Sequence, residues 1–220
     1  MTARAAPDWR RNPSLWRWIR WGIWVLACMP FLYLLLGAIQ NTLGADPAKE
    51  LALETGRWTL RFLLMSLAIT PMRELMGLTG AAPLRRTLGL FALFYASLHF
   101  VVYVVFLLEL RWFEVGDDIL ERPYITVGFV SFLILAAMGA TSPKRMVRLM
   151  GRRWKPLHRL VYVAAILGVL HLTWILRTDV FDAVFYGTLL ALLLGYRLVQ
   201  YLRRQARRSN RAGASSVSSQ

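Results

Sequence analysis

The sequence predicts an all-α integral membrane protein, a six-transmembrane-helix bundle with its N- and C-termini in the cytoplasm. Apolar residues make up 57% of the 220-residue chain. They come in blocks of about 16 to 23, enough to cross a hydrocarbon core about 30 Å thick. Lys and Arg cluster in alternate connections between these blocks, the pattern of cytoplasmic loops. In a soluble domain the net charge of +15 and pI near 11.1 point to nucleic acid. Here topology accounts for the charge, and the partner it implies is the lipid bilayer. Cys28 is the single cysteine and lies in an apolar run. That excludes an intramolecular disulfide and a thiolate-bound cluster and marks Cys28 as a core residue.

Residues 1–20 form a basic cytoplasmic segment, with Arg4, Arg10, Arg11, Arg17 and Arg20 interleaved with Trp9, Trp16 and Trp18, a composition suited to a membrane surface. Residues 21–202 form the membrane domain. Its first helix is expected from about Trp21 to Ile39, an apolar run without an Ala-x-Ala-like exit, which reads as an uncleaved signal anchor. Asn41, Gly44, Asp46 and Pro47 turn the chain on the outer side. The second helix is expected from about Thr55 to Thr70. Arg57 and Arg61, four apart on one face near its outer end, are placed to snorkel or to meet an anionic group.

The connection from Pro71 to Arg86 returns on the cytoplasmic side with Arg73, Arg85 and Arg86. A third helix from about Thr87 to Leu110 holds His99 near its middle. The connection after it has the opposite bias, with Glu109, Glu114, Asp117, Asp118 and Glu121, and belongs outside. The fourth helix starts at Pro123, a favoured first-turn residue, and ends near Thr141, before Ser142 and Pro143. A basic connection follows, with Lys144, Arg145, Arg148, Arg152, Arg153 and Lys155. The fifth helix runs from Pro156 to about Arg177 and the sixth from about Phe181 to Tyr201. Residues 203–220 form a basic, Ser-rich cytoplasmic tail, expected to be disordered beyond about Arg208.

The chemistry lies in the three histidines, His99, His158 and His171. An imidazole in hydrocarbon must satisfy two ring nitrogens, so membrane histidines face a bundle interior, a polar path or a cofactor. The third and fifth helices both run outward from the cytoplasm. His99 lies about 12 residues into one and His171 about 15 into the other, so at about 1.5 Å per residue their depths agree within roughly a turn. Two neutral imidazoles at one depth suit the axial positions of a haem b, and the alternative is a pair of polar core residues hydrogen-bonded across helices. The chain has no C-x-x-C-H motif for a haem c.

His158 sits in the first turn of the fifth helix, with Arg85 and Arg86 at the matching depth on the third. These arginines are candidates for haem propionates or a flavin phosphate. His158 itself has three readings: an axial ligand of a second haem, part of a flavin or quinone site, or an interfacial residue.

The chain resembles a known family from about Leu43 to Trp174. The pieces are LGADPAKE at 43–50, TGRWTLRFLL at 55–64, ITP at 69–71, RRTLGL at 85–90, SLH at 97–99, RPYITVG at 122–128, TS at 141–142 and GRRWKPLHRLVY at 151–162, with His171 and Trp174 beyond them. In order and spacing they resemble the MsrQ family, the haem-binding membrane subunits of the bacterial methionine sulfoxide reductase system. That family is similar to the wider ferric-reductase-like transmembrane proteins. The resemblance implies that His99, His158 and His171 are candidate haem ligands, with one haem b and room for a second, and that FMN is a further cofactor. It also implies an inner-membrane electron-transfer subunit. Electrons would come from the quinone pool or a cytoplasmic flavin reductase and leave to a periplasmic molybdopterin-containing methionine sulfoxide reductase, which repairs oxidised proteins. Larger relatives carry two histidines on each haem-bearing helix, whereas this chain has one on the third.

On the outer side, Arg57 and Arg61 are candidates to pair with propionates there, and Tyr103 and Trp174 to pack beside a haem. Two rival functions fit the same fold. A ferric reductase or superoxide-generating oxidase usually needs a fused NAD(P)H and flavin domain, for which too few residues follow the sixth helix. A non-redox transporter or assembly factor would use the histidines to relay protons, yet acidic partners are missing from the expected helix centres.

Overall fold

The computed structural model describes residues 12–176 and 180–217, with side chains through residue 207. Among these residues the secondary structure is all helical. The helices are α1 (Pro13–Ile39), α2 (Pro47–Met76), α3 (Ala82–Val102), α4 (Glu114–Glu121), α5 (Pro123–Ala140), α6 (Lys144–Met150), α7 (Trp154–Arg159), α8 (Val161–Ile175) and α9 (Val180–Val217). Five segments are long and apolar enough to cross a membrane: Pro13–Ile39, Thr79–Leu107, Pro123–Ala140, Lys144–Ile175 and Val180–Arg207. The expected second crossing falls on α2, which at 30 residues spans about 45 Å. Arg57 and Arg61 lower its hydropathy, and α2 contributes heavily to the core.

The helix starts follow from local chemistry. Asn12 Oδ1 accepts from Ser14 N at 3.0 Å and Asp46 Oδ1 from Lys49 N at 3.1 Å. Each caps a helix whose first residue is proline, where the missing N–H has no intrahelical use. Caps place these starts earlier than hydropathy does, so α1 begins eight residues ahead of Trp21 and α2 eight ahead of Thr55.

The core is centred on α2 and α3. Leu63, Leu64 and Leu67 of α2 and Tyr95 of α3 are fully buried, and Phe62 stacks on Tyr95 with centroids 5.3 Å apart. Helix α5 packs on α8, and α9 on α2 and α8. Pro30 lies inside α1, where a proline removes a backbone donor and loosens the preceding turn. The buried hydroxyl of Tyr95 bridges the adjacent rung. It accepts from Phe31 N at 3.0 Å and donates to Ala27 O at 2.7 Å. Backbone groups in an apolar medium are thereby satisfied, and α1 is pinned to α3.

Several expectations are corrected. Cys28 is exposed on α1 rather than buried, because an apolar residue in a membrane helix can face lipid as readily as protein. The third helix does not continue to Leu110. It widens into a π turn at Tyr103–Leu107 and stops where Glu109 and Leu110 take positive φ of 51° and 62°. The fifth helix is divided at Leu160 into α7 and α8, which puts His158 and His171 on separate segments. The basic connection after Pro143 is itself helical as α6, and Trp154 Nε1 closes the excursion by donating to Thr141 O at 3.0 Å. Helix α9 continues past Arg208 to Val217. Of the basic segment expected at residues 1–20, residues 1–11 lie outside the described residues and 13–20 belong to α1.

Candidate functional site

Four helices converge on one histidine pair: α3 and α8 carry the side chains, and α2 and α5 hold them. His99 Nδ1 lies 2.8 Å from Ala52 O of α2 and 3.3 Å from Thr55 Oγ1. His171 Nδ1 lies 2.6 Å from Tyr124 O of α5. A carbonyl only accepts, so each Nδ1 carries the proton and each Nε2 keeps its lone pair, the tautomer of a metal-ligating histidine with an outer carbonyl support.

The same device serves both rings. In a helix the carbonyl of residue i faces residue i+4, and four residues beyond Ala52 and Tyr124 stand Gly56 and Gly128. A Cβ at Gly128 would lie 2.7 Å from Nδ1 and Cε1 of His171, and one at Gly56 would lie 3.4 Å from Nδ1 and Cε1 of His99. Glycine lets each imidazole lie against the backbone and reach the carbonyl one turn back.

The two ring centroids are 6.1 Å apart with an interplanar angle of 84°. Two metal–imidazole bonds of about 2 Å placed end to end separate the centroids by about 6 Å. Among the described residues no group of three or more His, Cys, Asp or Glu side chains converges, so the pair is a two-nitrogen donor set. The agreement in depth read from sequence thus has its counterpart in space.

His158 has different company. Its ring stacks on Trp154 at 4.1 Å, and Nε2 lies 3.1 Å from Thr141 Oγ1. Thr141 Oγ1 also lies 2.8 Å from Ala137 O, so its hydroxyl occupies His158 Nε2 with a hydrogen bond whose direction follows the tautomer of the ring. Arg85 approaches His158 and lies with Tyr162, Arg197 and Arg73, while Arg86 points outward. Arg197 donates to Tyr162 OH at 2.5 Å and to Leu67 O at 2.7 Å.

Arg57 and Arg61 are engaged within the protein. Arg57 Nε reaches Asp182 Oδ2 at 2.8 Å and its Nη1 reaches Glu54 Oε1 at 2.8 Å. Arg61 Nε donates to Tyr186 OH at 3.0 Å, and its guanidinium lies 4.5 Å from the Trp58 ring centroid. This cluster joins α2 to α9. Trp174 is 42% exposed, and Tyr103 points its hydroxyl at Asp118 Oδ2, 2.8 Å away. A groove of about 300 Å³ between α2 and α9, lined by Trp58, Arg61, Met65, Phe185, Tyr186 and Leu189, is separate from the histidine pair.

Sequence reasoning missed Ala52, Tyr124, Gly56 and Gly128. Their backbone roles have no side-chain signature, although both glycines fall within motifs singled out above, TGRW and PYITVG.

Residues 55–169 match the family model described as ferric reductase like transmembrane component, and the chain belongs to this ferric-reductase-like transmembrane family. Within it the chain groups with the MsrQ proteins. It is 44% identical over 173 residues to the protein-methionine-sulfoxide reductase heme-binding subunit MsrQ of Xanthomonas euvesicatoria pv. vesicatoria (strain 85-10), covering 77% of this chain and 79% of that one. It is 41% identical over 204 residues to the protein of the same name from Ralstonia nicotianae (strain ATCC BAA-1114 / GMI1000), covering 91% and 94%. With that of Xanthomonas campestris pv. campestris (strain 8004) the identity is 43% over 170 residues, 77% of each.

Proposed function

We propose that this protein is a six-crossing cytochrome b of the bacterial inner membrane, with both termini cytoplasmic. In this reading it passes electrons from the quinone pool or a cytoplasmic flavin reductase to a periplasmic molybdopterin-containing methionine sulfoxide reductase. The observation that carries the reading is the His99–His171 pair: two Nδ1–H tautomers with ring centroids 6.1 Å apart, close to the separation that two imidazoles sharing one metal would need. A two-nitrogen donor set suits a metal whose remaining ligands come from a macrocycle, and the heme-binding name of the relatives agrees. Haem b, when bound, supplies a reversible one-electron iron couple.

The residues of the chain do the rest. His99 and His171 would hold the group. The carbonyls of Ala52 and Tyr124 fix the rings and increase the basicity of Nε2, which would favour the oxidised state of a bound iron and lower its potential. Leu60, at 4% exposure, packs against Gly168, three residues before His171, and would help keep water away. On the cytoplasmic side Arg85 and Arg197 form a cationic pair suited to an acidic group of a second cofactor, a haem propionate or the phosphate of FMN.

Purified protein is expected to give a b-type reduced-minus-oxidised spectrum. His99→Ala and His171→Ala should each abolish the same haem, whereas His158→Ala should leave it bound. Loss of that haem in His158→Ala alone overturns the pairing.

A further inference from the structure

Asp118 is a buried carboxylate, 9% exposed, in an otherwise exposed acidic segment, and the redox site described above gives it no role. Its two oxygens tie together the elements that support the histidine pair. On one side Tyr103 OH donates to Oδ2 at 2.8 Å, and the backbone N–H of Tyr103 bonds to His99 O at the end of α3. On the other side Arg122 Nε lies 3.3 Å from Oδ1, and Arg122 N donates to Asp118 O at 3.1 Å. Arg122 caps α5 and precedes Tyr124, whose carbonyl holds His171, by two residues. Thr126, in the same first turn, donates from its hydroxyl to Ile119 O and so sews α4 to α5 a second time.

We infer that Asp118 is a positioning residue for His171, acting through Arg122 and the first turn of α5 to set the Tyr124 carbonyl that fixes the imidazole. The alternative assignment, a surface charge of the acidic connection, leaves its burial and both partners without purpose. Helix α4 is eight residues long, too short to hold its place by its own hydrogen bonds. Its position therefore depends on these side-chain ties. The consequence is redox-chemical: slackening the Tyr124 carbonyl weakens the Nδ1–H···O bond, makes Nε2 a poorer donor to oxidised iron, and raises the midpoint potential.

The inference rests on the haem reading above, and the test separates the two. Redox titration of the purified holoprotein is expected to give a higher midpoint potential in Asp118→Ala at near wild-type haem content. Tyr103→Phe should shift it in the same direction by less. Asp118→Asn has one accepting oxygen where the carboxylate has two, so with the Tyr103 contact kept it loses that with Arg122 and should also raise the potential. Should Asp118→Ala fail to accumulate, Asp118→Asn decides alone. A wild-type potential in haem-loaded Asp118→Ala, or in Asp118→Asn when Asp118→Ala is not obtained, overturns the positioning role. A wild-type protein without haem counts against the haem reading instead. In that case 15N-histidine spectra of the full chain decide the positioning role, with a pure Nδ1–H tautomer for His171 expected in wild type and a mixture in the variants. An unchanged tautomer in Asp118→Ala, or in Asp118→Asn when Asp118→Ala is not obtained, overturns the inference.

Discussion

At the scale of single residues, the two glycines behind the histidines make unequal demands. A methyl group at position 128 would stand 2.7 Å from His171 Nδ1, closer than any carbon can approach, whereas one at position 56 would meet His99 at an ordinary 3.4 Å. Gly128→Ala should therefore push the imidazole off the Tyr124 carbonyl and lower haem affinity by roughly tenfold or more, the usual scale for losing an outer support of a metal ligand. Gly56→Ala should retain haem close to wild type. The haem-to-protein ratio after purification measures both, and equal loss in the two variants would refute the asymmetry. The nearness of His99 and His171 was legible in the sequence because depth counting needs only the helical rise and an orientation. Their supports were not, because a backbone carbonyl belongs to every residue and only the packing of α5 on α8 selects that of Tyr124.

At the scale of elements, the apolar blocks revealed where helices lie but not which face meets protein. Cys28 is the clear case: hydropathy cannot distinguish lipid from core, and the residue faces outward on α1. The break at Leu160 was hidden for a related reason, since α7 and α8 read as one apolar run. What holds α1 against α3 was hidden as well. Pro30 weakens a turn of α1, and Tyr95, 65 residues away, completes it. Tyr95→Phe keeps the ring stack on Phe62 and removes only the hydroxyl. It should lower thermal stability in detergent, at about 1–3 kcal/mol for each backbone group left without a partner. An unchanged melting temperature would mean that Phe31 N and Ala27 O satisfy one another without the tyrosine. The α2–α9 contact offers a second measurement. Asp182→Asn removes a carboxylate from Arg57 where both side chains are 19% exposed, and should cost about 2 kcal/mol. Glu74→Gln, which breaks the exposed pair with Arg204, should cost less than about 1 kcal/mol.

At the scale of the whole molecule, charge and helix order make a joint statement about sidedness. The stretches from Arg73 to Arg86 and from Lys144 to Lys155 are basic, and that from Glu109 to Glu121 is acidic. If α2 crosses along with the five apolar segments, the basic connections share a side with both ends of the chain, and the acidic α4 lies opposite. If α2 instead runs within one leaflet, the side of everything after it is inverted relative to α1. Single-cysteine labelling separates these arrangements. Cys28→Ser provides the cysteine-free background, and Glu114→Cys and Arg145→Cys place one thiol on each kind of connection, at positions the structure leaves exposed. In intact cells an impermeant maleimide admitted to the periplasm should modify position 114 and spare position 145 until the inner membrane is opened. Modification of position 145 from outside would remove the sixth crossing. It would also place the Tyr124 carbonyl and His171 toward the cytoplasmic face, leaving the proposed direction of electron flow without its outer terminus.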